Sequence, residues 1–308
     1  MNNENIKKRV EQLRSGQRIG PLVLEFNAER EFNWDYSESA DSETAKLPES
    51  QFLELVEEAC NYGAAEIRLG NIGHSSGTEL SLAMMRLVKK KGARGVAFTN
   101  GWLLTKQDID QIIKLGWDEL VFSLDTADAS LQDKIKGKPG TYEKTLKAIR
   151  DFASSGSAAL KLKTMITRPS FGRLEALIEL AAELGISEIF FDSLAAYKES
   201  KFALDENERK YLAMRIPKLN YLLNSLGIRS NIHVFRDLDW KHSPVAACAL
   251  PSFSMVIDAD GGVKPCSNYP FAVDNIIHKR LVDVWHGKPF ERLRHSECSC
   301  PHYIGGSQ

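Results

Sequence analysis

The sequence predicts an α/β fold, a partial (β/α)6 barrel followed by a small C-terminal module. The first observation is that short apolar, β-rich runs alternate six times with amphipathic helical runs between residues 21 and 226. The second is that such an alternation suits a parallel sheet, whose neighbouring strands need helical crossovers. The third is a change of pattern after residue 226. We therefore expect an N-terminal helical segment (1–20), a barrel (21–226) and a C-terminal domain (227–308).

Each predicted strand is a short run of β-branched, aromatic and aliphatic residues. The strands are predicted at 21–26, 65–69, 95–99, 119–124, 159–166 and 188–191. Each predicted helix repeats apolar residues every three or four positions, and several end at a glycine. The helices are predicted at 49–62, 79–91, 106–115, 142–154, 172–184 and 207–226. Functional residues are expected after the strands, at their carboxyl ends.

The C-terminal module follows a different pattern. Strands are predicted at 228–235 and 253–257, a hairpin turn at 258–262 and a helix at 281–294.

Composition and charge exclude several classes of protein. The 308 residues include 40 Lys and Arg against 41 Asp and Glu, and 43% are hydrophobic, which supports a large core and excludes disorder. A formal charge of −1 creates no strong field toward nucleic acid or an anionic membrane. No run approaches the ~20 apolar residues that span a bilayer, and the first residues lack a signal-peptide core. We expect a cytoplasmic protein that binds neither nucleic acid nor membrane.

The cysteines are concentrated in the C-terminal module. Cys60 stands alone on a predicted amphipathic helix, where a buried thiol is expected. The other four are Cys248, Cys266, Cys298 and Cys300. Four thiolates suit a structural zinc or an iron–sulfur cluster, and spacing alone does not choose between them. Unrelated buried thiols are the alternative.

The spacing of the last two cysteines leaves one ligand open. Cys298 and Cys300 are separated by a single residue, whereas two are more usual in a chelating pair. His302, His295 or His286 is therefore an alternative to one thiolate, although the last two fall on a predicted helix, where ordinary exposure explains them.

Several stretches resemble one known family, the radical S-adenosylmethionine (SAM) enzymes that carry a SPASM or Twitch auxiliary-cluster domain. Residues 99–106 (TNGWLLTK), 117–125 (WDELVFSLD) and 133–146 (DKIKGKPGTYEKTL) are similar to the middle of that family's barrel. The tail is more specific, since a cysteine, about a dozen residues, a glycine, four residues and a second cysteine occur from 248 to 266. The resemblance implies one auxiliary [4Fe–4S] cluster held by the four C-terminal cysteines.

The sequence departs from this family in two places. The three family cysteines that follow the first strand align with Glu31, Asp35 and Glu38, and carboxylates are hard ligands that poorly replace thiolates around iron and sulfide. The family's Gly-Gly-Glu segment after the second strand corresponds to Ile72-Gly73-His74, without the acid. We therefore expect a degenerate member that has lost reductive SAM cleavage.

Two further groups of residues have competing explanations. Ser123, Asp125 and Lys136 stand where the family often contacts SAM and mark a residual pocket, although capping explains Ser-Leu-Asp equally well. The three carboxylates above share one helical face and, with His74, suit a hard divalent cation; a solvated acidic loop is the simpler alternative. The aromatic residues Trp34, Tyr36 and Trp102 are expected at the barrel mouth, as filling or as a stacking surface.

Three functions compete at this stage. The first is a pseudoenzyme, a partner or substrate-binding subunit in a heteromeric complex with an active radical SAM enzyme. The second is an enzyme with altered chemistry, which uses a carboxylate-bound metal or the auxiliary cluster for electron transfer. The third is a structural protein stapled by zinc. By resemblance, the substrate is a peptide, a protein side chain or a sugar.

Overall fold

The computed structural model describes most of the chain. The described residues are 8, 11–12, 15–17, 19–28, 47–73, 78–156, 158–194, 200–236, 250–267, 269 and 271–295. Of the predicted N-terminal helical segment, Lys8, Glu11 and Gln12 are helical, whereas the other described residues, 15–17 and 19–20, form a turn and irregular structure.

The strands and helices alternate as the sequence predicts. The strands are β1 (Val23–Asn27), β2 (Glu66–Leu69), β3 (Arg94–Thr99), β4 (Glu119–Ser123), β5 (Ala159–Ile166), β6 (Glu188–Ser193), β7 (Arg229–Ser230), β8 (Ser254–Asp258), β9 (Gly262–Lys264) and β10 (Asp274–Asn275). The helices are α1 (Glu49–Asn61), α2 (Glu79–Lys90), α3 (Lys106–Lys114), α4 (Ala129–Ile135), α5 (Thr141–Ala153), α6 (Leu174–Glu183), α7 (Glu206–Ser225), α8 (Leu281–Trp285) and α9 (Lys288–His295). The predicted α/β class and parallel sheet are confirmed.

Two predicted elements differ from the structure, and one helix was not predicted. The strand predicted at 228–235 ends after β7, because the Asn231 side chain bonds to the N–H and the carbonyl of Phe191 and a 3-10 helix, Ile232–Arg236, follows. The helix predicted at 281–294 is divided at Gly287, since Pro289 has no N–H to bond to the carbonyl of Trp285, where α8 ends, and is accommodated instead in the first turn of α9. Helix α4 was not predicted; Asp128 caps its N-terminus by accepting the N–H of Leu131.

One sheet extends across the boundary predicted at residue 227. In the described residues its order is β10-β9-β8-β1-β2-β3-β4-β5-β6-β7. Strand β8 runs parallel to β1, with Val23 opposite Ser254 and Asn27 opposite Asp258. The predicted hairpin joins β8 to β9 in antiparallel fashion, and Gly261 in its turn has φ of 81°. The C-terminal hairpin therefore extends the barrel sheet beside its first strand.

The two faces of the sheet differ in character. One face packs its apolar side chains under the helices, as Phe26 does against Phe52 of α1 with ring centroids 6.2 Å apart. The alternate strand residues form the opposite face, which we call the open face; several of them are charged. The open face includes Glu25, Asn27, Glu66, Arg68, Arg94, Glu119, Ser123, Lys161, Lys163, Glu188, Phe190 and Asp192.

Candidate functional site

A buried ion pair lies at the carboxyl end of β4. Asp125 is 2% exposed, and its Oδ2 lies 2.6 Å from Nζ of Lys136, whose side chain is 5% exposed. The Oδ1 atom of Asp125 accepts the N–H of Met165 on β5 at 2.9 Å. Two charges removed from water in this way are stable only because each neutralises the other. The pair therefore ties the loop after β4 to the neighbouring strand.

Neighbouring polar side chains complete this buried cluster. Gln132 is fully buried on α4, and its Oε1 accepts the N–H groups of Asp125 and Thr126 at 3.0 and 3.2 Å. Thr164 donates its hydroxyl to the Leu124 carbonyl at 2.8 Å. Of the three residues predicted to form a residual SAM pocket, Asp125 and Lys136 bind each other, while Ser123 is half-buried on the open face opposite Lys163.

The turn after β2 is closely packed. Ile72 is buried, donates its N–H to Phe98 at 2.9 Å and accepts the Thr99 hydroxyl at 2.7 Å. Gly73 has φ of 71°, and a Cβ there would lie 2.8 Å from Leu104 Cδ2. His74, the next residue of the predicted segment, lies outside the described residues.

The end of β1 is connected to the C-terminal hairpin. Asn27 donates through Nδ2 to Asp258 Oδ1 at 2.9 Å, and Asp258 Oδ2 pairs with Lys264 at 2.6 Å. Gly70 makes this approach possible, since a Cβ there would lie 2.0 Å from Asn27 Oδ1. Ser267, next to Cys266, donates its hydroxyl to Glu25 at 2.6 Å. Cys266 is therefore held near the first strand of the barrel.

The other candidate metal ligands are mostly not described. Cys248, Cys298, Cys300, His302, Glu31, Asp35, Glu38 and His74 lie outside the described residues, as do Trp34 and Tyr36. Cys266 is half-buried. His286 places Nε2 3.0 Å from the carbonyl oxygen of Ile19; His295 is in α9, but its side chain is not among those described. Among the described residues, no three or more His, Cys, Asp or Glu side chains are grouped as a metal site requires.

Cys60 differs from the C-terminal cysteines in its surroundings. It is half-buried on α1, and burial raises the pKa of its thiol, an effect that the Lys91 ammonium only partly offsets. A thiol that keeps its proton is a poor metal ligand. The prediction that Cys60 packs as a small hydrophobic residue agrees with its contact with the core.

Trp102 lies half-buried on the loop after β3. The Nζ atoms of Lys144 and Lys138 are 3.9 and 4.8 Å from the centroid of its ring. The ring thus packs against two ammonium groups at the barrel mouth.

Opposite charges alternate across the amino ends of the strands on the open face. Glu66 pairs with Arg68 and Arg94, Glu119 with Arg94 and Lys161, and Glu188 with Lys161 and Arg229; we call these side chains the floor network. Burial alone would raise the pKa of Glu66, but the Arg68 and Arg94 guanidiniums outweigh it and hold this pKa below its usual value. The network connects every strand from β2 to β7.

The centre of the open face contains residues that sequence patterns did not single out as functional. Phe190 is 49% exposed on β6, although parallel sheets are usually covered on both faces. Lys163 is opposite Phe190 in the β5–β6 register, and its Nζ lies 3.7 Å from Asp192. The sequence signal for this face was in β5, where Lys161, Lys163 and Met165 alternate with buried residues and so lie on one side of the strand. An exposed ring between a cation and an anion is suited to contact a ligand.

The residues fit the two groups implied by the family resemblance to different degrees. The cluster that cleaves SAM needs three thiolates after β1, and the sequence has no cysteine before Cys60, so the residues do not fit it. The two charged residues aligned with the family's SAM contacts, Asp125 and Lys136, form an ion pair with each other. For an auxiliary cluster the donor chemistry fits, because thiolates are the preferred ligands and Cys266 follows the hairpin beside β1.

Two family models match the chain. The model described as the radical SAM superfamily matches residues 32–181, and the SPASM model, described as an iron-sulfur cluster-binding domain, matches residues 248–302. Among curated proteins, the AdoMet-dependent heme synthase of Methanosarcina barkeri is 24% identical over 232 residues, which cover 67% of this chain and 64% of that enzyme. The mycofactocin maturase MftC of Mycobacterium tuberculosis is 30% identical over 92 residues, 30% of this chain and 23% of that protein. The chain thus spans less than two thirds of each.

Solved structures share the fold at low sequence identity. Streptococcus suis SuiB bound to SAM superposes with a TM-score of 0.73 at 17% identity, over 95% of this chain and 72% of that one. The structure of anSMEcpe with bound AdoMet gives a TM-score of 0.67 at 14% identity, over 89% and 82% of the two chains. None of the helices in the described part of the chain is long and apolar enough to cross a membrane.

Proposed function

Because the chain belongs to the radical SAM superfamily, we propose that it is a partner or substrate-binding subunit of an active radical SAM enzyme. In this role it holds one auxiliary [4Fe–4S] cluster and does not itself cleave SAM. The observation that carries the proposal is that no cysteine occurs between residue 28 and residue 46, the stretch that follows β1. Without thiolates there, the chain has no ligands for the cluster that supplies the electron to SAM.

The buried ion pair after β4 supports the same proposal. A nucleotide that used Asp125 or Lys136 would have to separate two buried charges, which costs several kcal/mol. This cost disfavours SAM binding through these residues.

The auxiliary cluster would be held by Cys248, Cys266, Cys298 and Cys300. When bound, such a cluster supplies one-electron transfer at a potential set by its surroundings. The match of an iron-sulfur cluster-binding domain to residues 248–302 supports this assignment over zinc.

A peptide is the substrate class that we favour over a sugar. The SuiB structure with its precursor peptide SuiA superposes on this chain with a TM-score of 0.71 at 16% identity, over 96% of this chain and 73% of SuiB. The exposed Phe190, flanked by Lys163 and Asp192, offers an apolar contact between two charges of opposite sign. A peptide residue presents both apolar and polar groups to such a surface.

The test is the content of iron, acid-labile sulfide and zinc per chain after anaerobic reconstitution, together with an assay for 5′-deoxyadenosine in the presence of SAM and dithionite. We expect about four iron and four sulfide per chain and no 5′-deoxyadenosine. Cys266→Ser should lower the iron content sharply, and the matched variant Cys60→Ser should not. About eight iron, or steady formation of 5′-deoxyadenosine, would overturn the proposal. Zinc without iron would also overturn it and would mean that the cysteines hold a structural zinc.

A second candidate is an active enzyme with altered chemistry, which the names of the curated relatives favour. The heme synthase and the maturase are enzymes by name. In this case a divalent cation would bind Glu31, Asp35 and Glu38 with His74, or the auxiliary cluster would transfer electrons. Glu31→Ala and Asp35→Ala should then abolish uptake of a divalent metal beyond the cluster iron, and unchanged metal content in both variants would reject the carboxylate site.

A further inference from the structure

Arg294, near the C-terminal end of α9, connects two segments of the C-terminal module. Its Nη2 donates to the carbonyl of Trp285 at 2.6 Å, and its Nε donates to the carbonyl of Pro251 at 3.0 Å. Trp285 is the last residue of α8, and Pro251 lies in a short 3-10 helix, Leu250–Ser252, just before β8. One side chain therefore fastens the pair of helices to the segment that leads into the sheet.

The break between α8 and α9 explains the first of these two bonds. In a continuous helix the Trp285 carbonyl would accept the N–H of residue 289, which is a proline and has none. Trp285 is fully buried, so its carbonyl needs a donor from the protein. The Arg294 side chain supplies that donor.

The Arg294 guanidinium also lies against two aromatic rings. Its Cζ atom is 4.2 Å from the centroid of the Trp285 ring and 5.6 Å from that of Phe290, and both rings are fully buried. Burial lowers the pKa of Arg294 to about 10, an effect that Glu291 only partly offsets, so the side chain is still charged at pH 7. In the described part of the chain no carboxylate forms an ion pair with it.

Both segments that Arg294 connects continue into predicted cluster ligands. Cys248 precedes Pro251 by three residues, and Cys298 follows Arg294 by four. An extended chain spans at most about 3.6 Å per residue, so the Cα atom of Cys248 lies within about 11 Å of Pro251 and that of Cys298 within about 14 Å of Arg294. The bond between Arg294 and Pro251 thus limits how far these two cysteines can separate.

We propose that Arg294 is a positioning residue of the auxiliary cluster, which holds the segment before Cys298 against the segment after Cys248 so that thiolates from both reach one cluster. This inference rests on the proposed cluster and names a residue outside its ligand set. A planar guanidinium can bond to two carbonyls while it stacks on a ring, whereas a lysine ammonium cannot. The positive charge of Arg294 also favours the reduced form of the cluster, which carries one more negative charge.

The experiment compares the wild type with three variants of the full chain after anaerobic reconstitution. Arg294→Met removes the charge and both hydrogen bonds, and Arg294→Lys keeps the charge without the planar fork. Arg215→Met is the matched control, because Arg215 bonds to the carbonyls of Phe171 and Gly172 and lies over the Tyr211 ring, but in the barrel. Iron release to a ferrous chelator and the reduction potential are measured at a temperature where circular dichroism shows each protein folded.

We expect Arg294→Met to release iron about tenfold faster than the wild type, the loss typical of residues that orient metal ligands, and Arg215→Met to release it at the wild-type rate. The reduction potential of Arg294→Met should be lower, because a cation near the cluster is lost. Arg294→Lys should also release iron faster but keep the wild-type potential. If Arg294→Met does not fold, Arg294→Lys decides, and wild-type iron release in that variant would overturn the inference.

Three results in folded proteins would overturn the role of Arg294. They are a wild-type rate of iron release in Arg294→Met, an unchanged potential in the same variant, and an equal acceleration of release by Arg215→Met, which would reflect stability alone. If the wild type still holds about four iron, any of them leaves the proposed cluster in place. A wild type without a cluster would overturn both proposals, whereas formation of 5′-deoxyadenosine would overturn the proposed function and leave the role of Arg294.

Discussion

The two ends of the barrel are both polar, but they use their polar side chains differently. In the floor network, Glu66, Glu119 and Glu188 each pair with cations from other positions of the sheet, so charge connects strand to strand. At the mouth, Asp125 accepts the N–H of Met165 within β5 and Gln132 accepts the N–H of Asp125 after β4, so polar groups connect loop to strand. Ionic contacts at the floor therefore stabilise the sheet, while hydrogen bonds at the mouth determine the shape of the loops where a ligand would bind.

The largest expected effect is at the mouth. Asp125→Ala leaves the Lys136 ammonium buried without its partner, and we expect the free energy of unfolding to fall by about 3–5 kcal/mol. Urea denaturation followed by circular dichroism measures this loss.

A double variant is the control for that prediction. Asp125→Leu combined with Lys136→Met removes both charges and should recover most of the stability, because no unpaired charge remains. A single variant that costs less than about 1 kcal/mol would mean that the pair does not hold the loop.

The junction between β1 and the C-terminal hairpin should be the next most sensitive position. Gly70→Ala places a methyl group 2.0 Å from the present position of Asn27 Oδ1 and should displace Asn27 from Asp258. Overpacking of this kind costs about 1–3 kcal/mol. Urea titration of this variant should show the loss, whereas Gly172→Ala, where a Cβ meets no atom within 4 Å and φ is not left-handed, should leave the stability nearly unchanged.

The floor should lose stability in acid. The folded pKa of Glu66 lies below its usual value of 4.5, so its stabilisation is complete above pH 4.5 and is lost as the pH falls through the folded pKa. Glu66→Gln should cost about 1–2 kcal/mol at pH 7, since Arg94 is partly exposed, and should flatten the decline of stability in acid. The free energy of unfolding of both proteins is measured by urea denaturation between pH 3 and pH 7. An equally steep decline in acid for Glu66→Gln and the wild type would show that the carboxylate of Glu66 does not stabilise the floor.

The smallest effect is expected for an exposed pair that belongs to neither end. Lys147 and Asp151 are one helical turn apart on α5. Nζ of Lys147 lies 2.6 Å from Oδ2 of Asp151, and the Lys147 side chain is 69% exposed. Lys147→Ala should change the free energy of unfolding by about 0.5 kcal/mol or less. A larger loss in the same denaturation assay would mean that solvent-exposed ion pairs matter in this protein and that the floor is not special.

The elements were more predictable than the contacts between them. Strand β5 was predicted with its observed bounds, because its alternation of buried and half-buried residues is a local property. Helix α4 was missed because it has only seven residues, too few to show a clear apolar periodicity. Between α8 and α9 the sequence predicted too long a helix. The apolar periodicity continues from 281 to 294, but Pro289 interrupts the helix near Gly287.

The candidate site was predictable only in part. The residues after β4 were selected from a resemblance, but their partners were not visible in the sequence, where Asp125 and Lys136 are eleven positions apart. The floor network has charges from six strands, and no local pattern reports which of them meet.

The amino-acid sequence alone determined the α/β class, the alternation of strands and helices, and the lack of thiolates after the first strand. Periodicity and composition decide these properties, since each depends on residues close together in the chain. Only the tertiary structure decided that β8 pairs with β1, that Lys136 neutralises Asp125, and that Met214 and Tyr221 of α7 face the solvent. These depend on distances between segments remote in sequence, and the free energy of burial and pairing is defined only once those segments have met.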